Sequence, residues 1–387
     1  MREEQYLKLL KFIENGLKLC DPEIGHILDK ALSGREIHED ECLKLLKEYR
    51  PLEINLIKAT ADYLRWSTCD DYVTFVVNRN INFTNICILR CKFCAFSRPP
   101  CHPEGYVLDM DTVRRKVREA VKFGATEVCV QGAINPELDI DYYINLLTTI
   151  KKEAPYIHIH AFSPQEIYYL HRRTGLSIED VLKTLREAGL DTMPGTAAEV
   201  LDDEVRKIIC PGKISTRQWI EIVTTAHRLG IRTSATLMYG HIENVEHIVK
   251  HLSIIRNIQK STGGFTEFVL LPFVHYHTEL VKHPNCRPGS SGTFDAKLCA
   301  VSRIFLHKYI KNIQVSWVKL GRKFAQYLLT CGANDLGGTL MEENISHPAG
   351  ATESTFLTPR DFIYLIREAG RIPAQRTTVY KIIRIYA

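Results

Sequence analysis

Cys87, Cys91 and Cys94 stand in the run Cys87-Ile88-Leu89-Arg90-Cys91-Lys92-Phe93-Cys94. A C-x3-C-x2-C loop gathers three thiolates around one small volume. That suits a cubane iron–sulfur cluster, which normally takes four thiolates. Three ligands leave one iron open, and an open iron can bind and reduce a small molecule. Two other chemistries use the same residue type. A tetrahedral zinc site needs a fourth ligand, and Cys101 lies seven residues beyond Cys94; structural zinc knuckles, however, usually pair two C-x2-C units, and only one is present. A disulfide needs an oxidising compartment.

The elements that must hold such a loop come from a chain of 387 residues, 45% hydrophobic and 25% charged, which is ordinary for a soluble globular protein. The formal charge of +5 is spread along the sequence and forms no basic cluster, so nucleic acid is not expected as a partner. Met1-Arg2-Glu3-Glu4-Gln5 is charged at once, and no apolar run reaches the roughly 18 residues of a membrane span. The expectation is a cytoplasmic protein with no membrane partner. The remaining nine of the twelve cysteines are scattered, as small core or surface residues of a reducing compartment would be.

Residues 1–70 read as a helical N-terminal extension, with Leu7, Leu10, Ile13 and Leu17 at helical spacing. From there short apolar runs alternate with amphipathic stretches. Strands are expected at Asn80–Thr84, Glu127–Gln131, His158–Phe162, Asp191–Met193, Arg232–Met238, Thr266–Pro272, Asn312–Ser316 and Asp335–Leu340. Helices are expected near 111–123, 139–153, 177–188, 215–229, 243–260, 295–310, 319–330 and 358–369. Ser177 and Thr358 provide N-caps, the latter followed by proline, and Gly124, Gly189 and Gly230 close helix ends. Alternation of this kind implies an α/β fold, a parallel (β/α) TIM-type barrel over residues 71–370 with eight units, followed by a C-terminal tail, 371–387. A doubly wound sheet and a six-unit partial barrel are the competing solutions. In a barrel the loops after the strands form the catalytic face, and the cysteine triad follows the first strand directly. The loop 276–294, rich in His, Pro, Gly and Ser, reads as a flexible surface excursion.

The triad, with an aromatic before its third cysteine, resembles the signature of the radical S-adenosylmethionine (SAM) enzymes. The resemblance implies a [4Fe–4S] cluster on Cys87, Cys91 and Cys94, with SAM chelating the open iron. It also implies SAM contacts along successive strand ends: Phe93 against adenine, Gln131 and Gly132 near the methionine ammonium, Ser163, Glu199 at the ribose or ammonium, and the Tyr239, Gly240 and Glu243 turn. The family usually has a second glycine where Ala133 stands.

The blocks Asn82-Phe83-Thr84-Asn85-Ile86-Cys87, Pro194-Gly195-Thr196-Ala197-Ala198-Glu199, Ile209-Cys210-Pro211-Gly212-Lys213 and Thr266-Glu267-Phe268-Val269 narrow the match further. They resemble the group that holds the deazaflavin-forming enzymes and two menaquinone enzymes of the futalosine route, and look most like the tyrosine-using subunit of FO synthase. That resemblance implies transfer of a 4-hydroxybenzyl group from L-tyrosine to 5-amino-6-(D-ribitylamino)uracil, releasing 2-iminoacetate, 5′-deoxyadenosine and methionine. A low-potential electron donor and a second radical SAM enzyme that closes the deazaflavin ring would be partners. His158, His160, His241 and His275, with Tyr239, could hold the phenol or carboxylate of tyrosine, and Thr196 is a further catalytic or substrate residue; Asn334, Asp335, Gly338, Thr339 and Asn344 would serve the uracil. The aminofutalosine-forming enzyme and its cyclising relative are the nearest alternatives, and a zinc-stabilised binding protein is the alternative of a different class.

Overall fold

The computed structural model describes residues 2–386. Four helices open the chain: α1 (Arg2–Leu17), α2 (Pro22–Leu32), α3 (Glu39–Lys47) and α4 (Pro51–Cys69). Asp21 caps α2 by accepting from Glu23 N and Ile24 N, and prolines stand in the first turns of α2 and α4, where no amide partner is lost.

The alternating part follows as β1 (Tyr72–Val76), β2 (Asn78–Ile81), α5 (Met110–Lys122), β3 (Glu127–Val130), α6 (Ile140–Glu153), β4 (His158–Ala161), α7 (Pro164–Thr174), α8 (Ile178–Glu187), α9 (Asp203–Ile209), α10 (Thr216–Arg228), β5 (Thr233–Tyr239), α11 (Val245–Thr262), β6 (Phe265–Pro272), α12 (Gly292–Leu306), β7 (Ile313–Val315), α13 (Trp317–Leu320), α14 (Arg322–Leu328), β8 (Asp335–Gly338) and α15 (Pro359–Glu368). The chain ends with β9 (Ile372–Arg376) and β10 (Ile382–Ile385).

Hydrogen bonding divides the strands into a seven-stranded sheet, β10-β9-β1-β8-β7-β6-β5, and a three-stranded sheet, β2-β3-β4. β1 and β2 are one strand interrupted at Val77. At the other junction, single parallel bridges join His160 to Thr192 and Met193 to Thr233. The parallel pairing therefore runs round from β2 through β4, Thr192–Met193 and β5–β8 to β1. The strand expected at Asp191–Met193 exists only as those two bridges. The first strand begins well before the expected Asn80–Thr84.

Two further expectations need correction. The described part of the expected tail, residues 371–386, carries β9 and β10. β9 lies parallel beside β1, from Tyr72↔Ile372 to Phe75↔Gln375, and β10 folds back antiparallel upon it. The segment 276–294 is also no free excursion. Leu280 is buried and its N–H donates to Lys92 O at 2.8 Å, and Arg287 N donates to His241 O at 2.9 Å. The helix expected over 319–330 breaks at Gly321, whose φ of +79° no β-carbon-bearing residue adopts cheaply. α7 and α9 were not anticipated.

The apolar helical faces bury against the sheet and against neighbouring helices, as the patterning demands. α8 buries Val181, Leu182 and Leu185, and α10 buries Trp219, Ile222, Val223 and Ala226. Inside the barrel the residues are polar lower down. β9 delivers Arg376 to Asp335, with Nε and Nη2 donating at 2.6 and 3.0 Å, and the turn that follows sets the centre of the Tyr380 ring 4.0 Å from the guanidinium. Gly337 N donates to the same carboxylate at 2.7 Å and Thr74 Oγ1 also bonds it. Nearby, Glu127 accepts from Asn78 Nδ2 at 2.8 Å.

Candidate active site

A cavity of about 410 Å³ opens at the carboxyl ends of the strands, within the range of small-molecule sites. Cys87, Cys91 and Cys94 all line it. Their loop is short of side-chain anchors of its own and is held by backbone bonds: Cys87 N to Arg98 O at 2.8 Å, Ile88 N to Ile134 O at 3.1 Å and Lys92 N to Ile209 O at 2.9 Å. Burial pushes the Cys91 thiol well above its ordinary range, against the opposing pull of Lys213. Among the described residues no three His, Cys, Asp or Glu side chains converge closely enough to hold a single metal ion. Three thiols from one short loop suit a cubane cluster with one open iron better than a structural zinc site, which takes four protein ligands.

Around the triad the cavity wall includes Phe93, Gln131, Gly132, Ser163, Thr196, Glu199 and Gly338 of the residues expected from sequence. Glu199 accepts from Lys213 Nζ at 2.5 Å, and that ammonium stands 5.3 Å from the centre of the Phe93 ring. Burial raises the Glu199 carboxyl, but Lys213 outweighs it and the group sits below its usual range; Lys213 is correspondingly raised despite its burial. Glu166 joins two loops that looked independent in sequence. Its Oε1 accepts from Gly132 N at 3.1 Å, and its Oε2 accepts from Ser163 N and Ser163 Oγ at 2.7 Å each. Burial brings its carboxyl up to about 7. Gly132 is glycine for packing as well: an added Cβ would lie 2.4 Å from the Phe83 ring. Asn82 Oδ1 and Thr196 Oγ1 are buried with no hydrogen-bond partner, and both residues line the cavity. Such atoms are costly unless a ligand satisfies them.

Several expected residues lie elsewhere. Tyr239 is fully buried in the core beside Phe294, with no place on the cavity wall. Gly240 packs against the 289–290 backbone, 2.7 Å from Ser290 N to a would-be Cβ. Glu243 accepts from Gly240 N at 2.7 Å and His241 N at 2.9 Å and pairs with Arg287, so it shapes the turn and does not face the cavity. His241 is buried, its Nε2 bonded to Met238 O at 3.1 Å. His158 Nε2 and His160 Nδ1 each lie 2.8 Å from the single hydroxyl of Thr192, below the cavity. Burial depresses both, His160 to about 4. His275 lies outside the lining, its ring tilted against that of Tyr276 with centres 4.1 Å apart.

On the last strand only Gly338 faces the cavity among the expected uracil contacts. Asn334 turns outward to Arg303 at 2.7 Å and Ile313 N at 2.9 Å. Asp335 is used up by Arg376 beneath the cavity. Thr339 Oγ1 staples β8 to β2 through Asn78 O at 2.7 Å, and Asn344 bonds Glu342 at 3.1 Å. Sequence reasoning missed Asn80, Asn82, Glu166, Lys213, Gln314, Lys319 and Glu343, all on the wall. Glu166 had a signal in the capping box Ser163-Pro164-Gln165-Glu166, and Lys213 in its proline-glycine block; Lys319 and Glu343 had none.

Comparison with known proteins agrees with this geometry. The model of the Radical SAM superfamily matches residues 81–255, and that of the CofH/MqnC C-terminal region matches 262–386. The chain is 51% identical over 323 residues to the 5-amino-6-(D-ribitylamino)uracil–L-tyrosine 4-hydroxyphenyl transferase of Archaeoglobus fulgidus, covering 84% of this chain and 92% of that one. It is 50% identical over 363 residues to the Methanopyrus kandleri transferase of the same name, covering 94% and 98%. The Methanocaldococcus jannaschii transferase is 49% identical over 352 residues, covering 90% and 98%. Among solved structures, methylornithine synthase (PylB) superposes with a TM-score of 0.71 at 17% identity, over 90% of this chain and 97% of that one. HydG, a maturase of the [FeFe]-hydrogenase, gives 0.72 at 18%, over 96% and 80%. These two show the shared fold. With a cysteine triad at the mouth of a parallel α/β barrel and relatives at about half identity along nearly its whole length, the chain belongs to the radical SAM superfamily and, within it, to the family of the 5-amino-6-(D-ribitylamino)uracil–L-tyrosine 4-hydroxyphenyl transferases.

Proposed function

We propose that this chain transfers the 4-hydroxybenzyl group of L-tyrosine to 5-amino-6-(D-ribitylamino)uracil. The observation that carries the reading is the cavity itself: three thiols, a paired Glu199–Lys213 and an amide-rich wall share one space, in a chain that matches a transferase of this name over 94% of its length.

Cys87, Cys91 and Cys94 would hold a [4Fe–4S] cluster, and the residues present fit it. When bound, cluster and SAM supply a 5′-deoxyadenosyl radical once a low-potential donor delivers an electron. Glu199 and Lys213 form a near-neutral pair whose oxygens and ammonium can orient a ribose or an amino-acid end without leaving a bare charge in the wall. Asn82 Oδ1 and Thr196 Oγ1 offer unfilled acceptor and donor positions. Glu166 fixes the backbone of Gly132, and with it the carbonyls of the Gln131–Ala133 turn. The amides of Asn80, Gln131 and Gln314 suit the flat amide edge of a uracil better than the buried Asn334 and Asp335 do.

The reading predicts that tyrosine triggers SAM cleavage and that phenylalanine does not. A site built to hydrogen-bond a hydroxyl leaves polar groups unpaired with the analogue that lacks it, a discrimination on the order of 10⁴-fold. Release of 5′-deoxyadenosine is the measurement, under anaerobic conditions with a chemical reductant. Equal release with phenylalanine would remove tyrosine from the assignment. The reading also implies a second radical SAM enzyme as functional partner to close the ring, since the hydroxybenzyl group of the product is joined to the uracil but not yet cyclised.

A further inference from the structure

The charged groups of the cavity wall divide into those with partners and those without. Glu199 and Lys213 neutralise each other at 2.5 Å, and Glu166 is taken up by the Gly132 and Ser163 donors. Lys319 and Glu343 remain. Lys319 sits on α13, in the loop that follows β7; Glu343 sits in the loop that follows β8, and both line the cavity. Among the described residues Lys319 forms no ion pair and no side-chain hydrogen bond, although Glu343 is the strongest opposite charge acting on it. Glu343 accepts from Ile345 N at 3.2 Å and from Ser346 N at 3.0 Å, which fixes its carboxylate and leaves its remaining lone pairs open. A half-buried cation and a buried anion that line one cavity without pairing are costly unless something complements them. They match a zwitterion, which brings a carboxylate to one and an ammonium to the other.

Resting on the function proposed above, the site takes two amino-acid ends, that of SAM and that of tyrosine. The thiols, Glu199 and Lys213 all lie within residues 81–255, the part shared across the superfamily. Lys319 and Glu343 lie within 262–386, the region particular to this group. We propose that Lys319 binds the α-carboxylate of tyrosine and Glu343 its α-ammonium. The clamp holds the half of the substrate that departs as 2-iminoacetate and leaves the hydroxybenzyl half unrestrained toward the acceptor.

The test is equilibrium dialysis of the anaerobically reconstituted holoenzyme, wild type, Lys319→Met and Glu343→Gln. The ligands are L-tyrosine, tyramine, 3-(4-hydroxyphenyl)propionate and SAM. Wild type should bind tyrosine at least about tenfold more tightly than either truncated analogue, the worth of one charge-assisted contact. Lys319→Met should lose about tenfold for tyrosine and for the propionate while leaving tyramine unchanged; Glu343→Gln should lose as much for tyrosine and for tyramine while leaving the propionate unchanged. SAM affinity should not move in either. Lys319→Gln gives the same comparison if Lys319→Met does not fold. Equal losses for all three phenols would mean a change of shape and would overturn the clamp, as would loss of SAM affinity in place of tyrosine affinity. If wild type binds tyrosine and both variants are silent, the clamp fails and the function stands. If wild type binds no tyrosine, the function fails first.

Discussion

At the scale of the residue, some polar side chains are free to meet a ligand and others are spent within the fold. Asp335 illustrates the difference. From sequence, an aspartate beside two glycines at the end of the last strand looks like a substrate ligand; in the fold it holds Arg376, Gly337 N and Thr74 in a buried network. Asp335→Ala should therefore destabilise the protein by about 3–5 kcal/mol, because Arg376 would be left as an unpaired buried charge. A urea titration of the variant, compared with wild type, measures this; an unchanged midpoint would return Asp335 to the substrate. The cysteines make the complementary case. Replacement of Cys87, Cys91 or Cys94 by Ala should abolish the visible absorbance of the reconstituted cluster while the far-ultraviolet circular dichroism remains native. Cys101→Ala and Cys210→Ala should keep it, and loss of the cluster in Cys101→Ala would contradict three-thiolate ligation. Glu199→Gln should weaken SAM binding with tyrosine absent, since it breaks the pair with Lys213 on the cavity wall. The triad was legible because its spacing is local. The ends of the charge network were not, because Lys213 meets Glu199 and Glu166 meets Gly132 only after the strands align their loops.

At the scale of the element, most helices and strands could be read from period and caps, and the errors share a cause. Barrel strands whose inner face is polar lose the apolar signature that marks a strand, and Thr74, Asn78 and Asn80 belong to such a face. Thr192 and Met193 give only two bridges, too few to be distinguished from a turn. The β9–β10 hairpin was missed because nothing local says that Ile372–Arg376 will run beside β1, more than 290 residues earlier in the chain. Its contribution is testable. Arg376→Met leaves Asp335 buried and unpaired and should cost about 3–5 kcal/mol, whereas Arg384→Met on the exposed β10 should change stability by less than about 0.5 kcal/mol. The double variant Arg376→Met with Asp335→Asn should recover part of the loss. If both arginine variants behave alike, the Arg376–Asp335 pair does not tie the hairpin into the fold.

At the scale of the whole molecule, buried histidines set a direction for acid sensitivity. Burial depresses His160 and His227 to about 4, below their unfolded value near 6.5. A depressed group keeps its stability above the unfolded value and loses it as pH falls through the folded value, because the unfolded chain takes the proton first. Stability should therefore fall between about pH 6.5 and 4, by on the order of 3 kcal/mol for His160 alone. His160→Asn should flatten that part of the profile in urea midpoints measured across this range, and an unchanged slope would show that His160 is protonated in the fold. The whole-chain activity is tested most directly by products. Holoenzyme incubated anaerobically with SAM, a reductant, 5-amino-6-(D-ribitylamino)uracil and tyrosine labelled with ¹³C at Cα or at Cβ should yield an adduct that carries the Cβ label and 2-iminoacetate that carries the Cα label. Unlabelled products, or 5′-deoxyadenosine that forms only with an enolpyruvyl benzoate and never with tyrosine, would contradict the account.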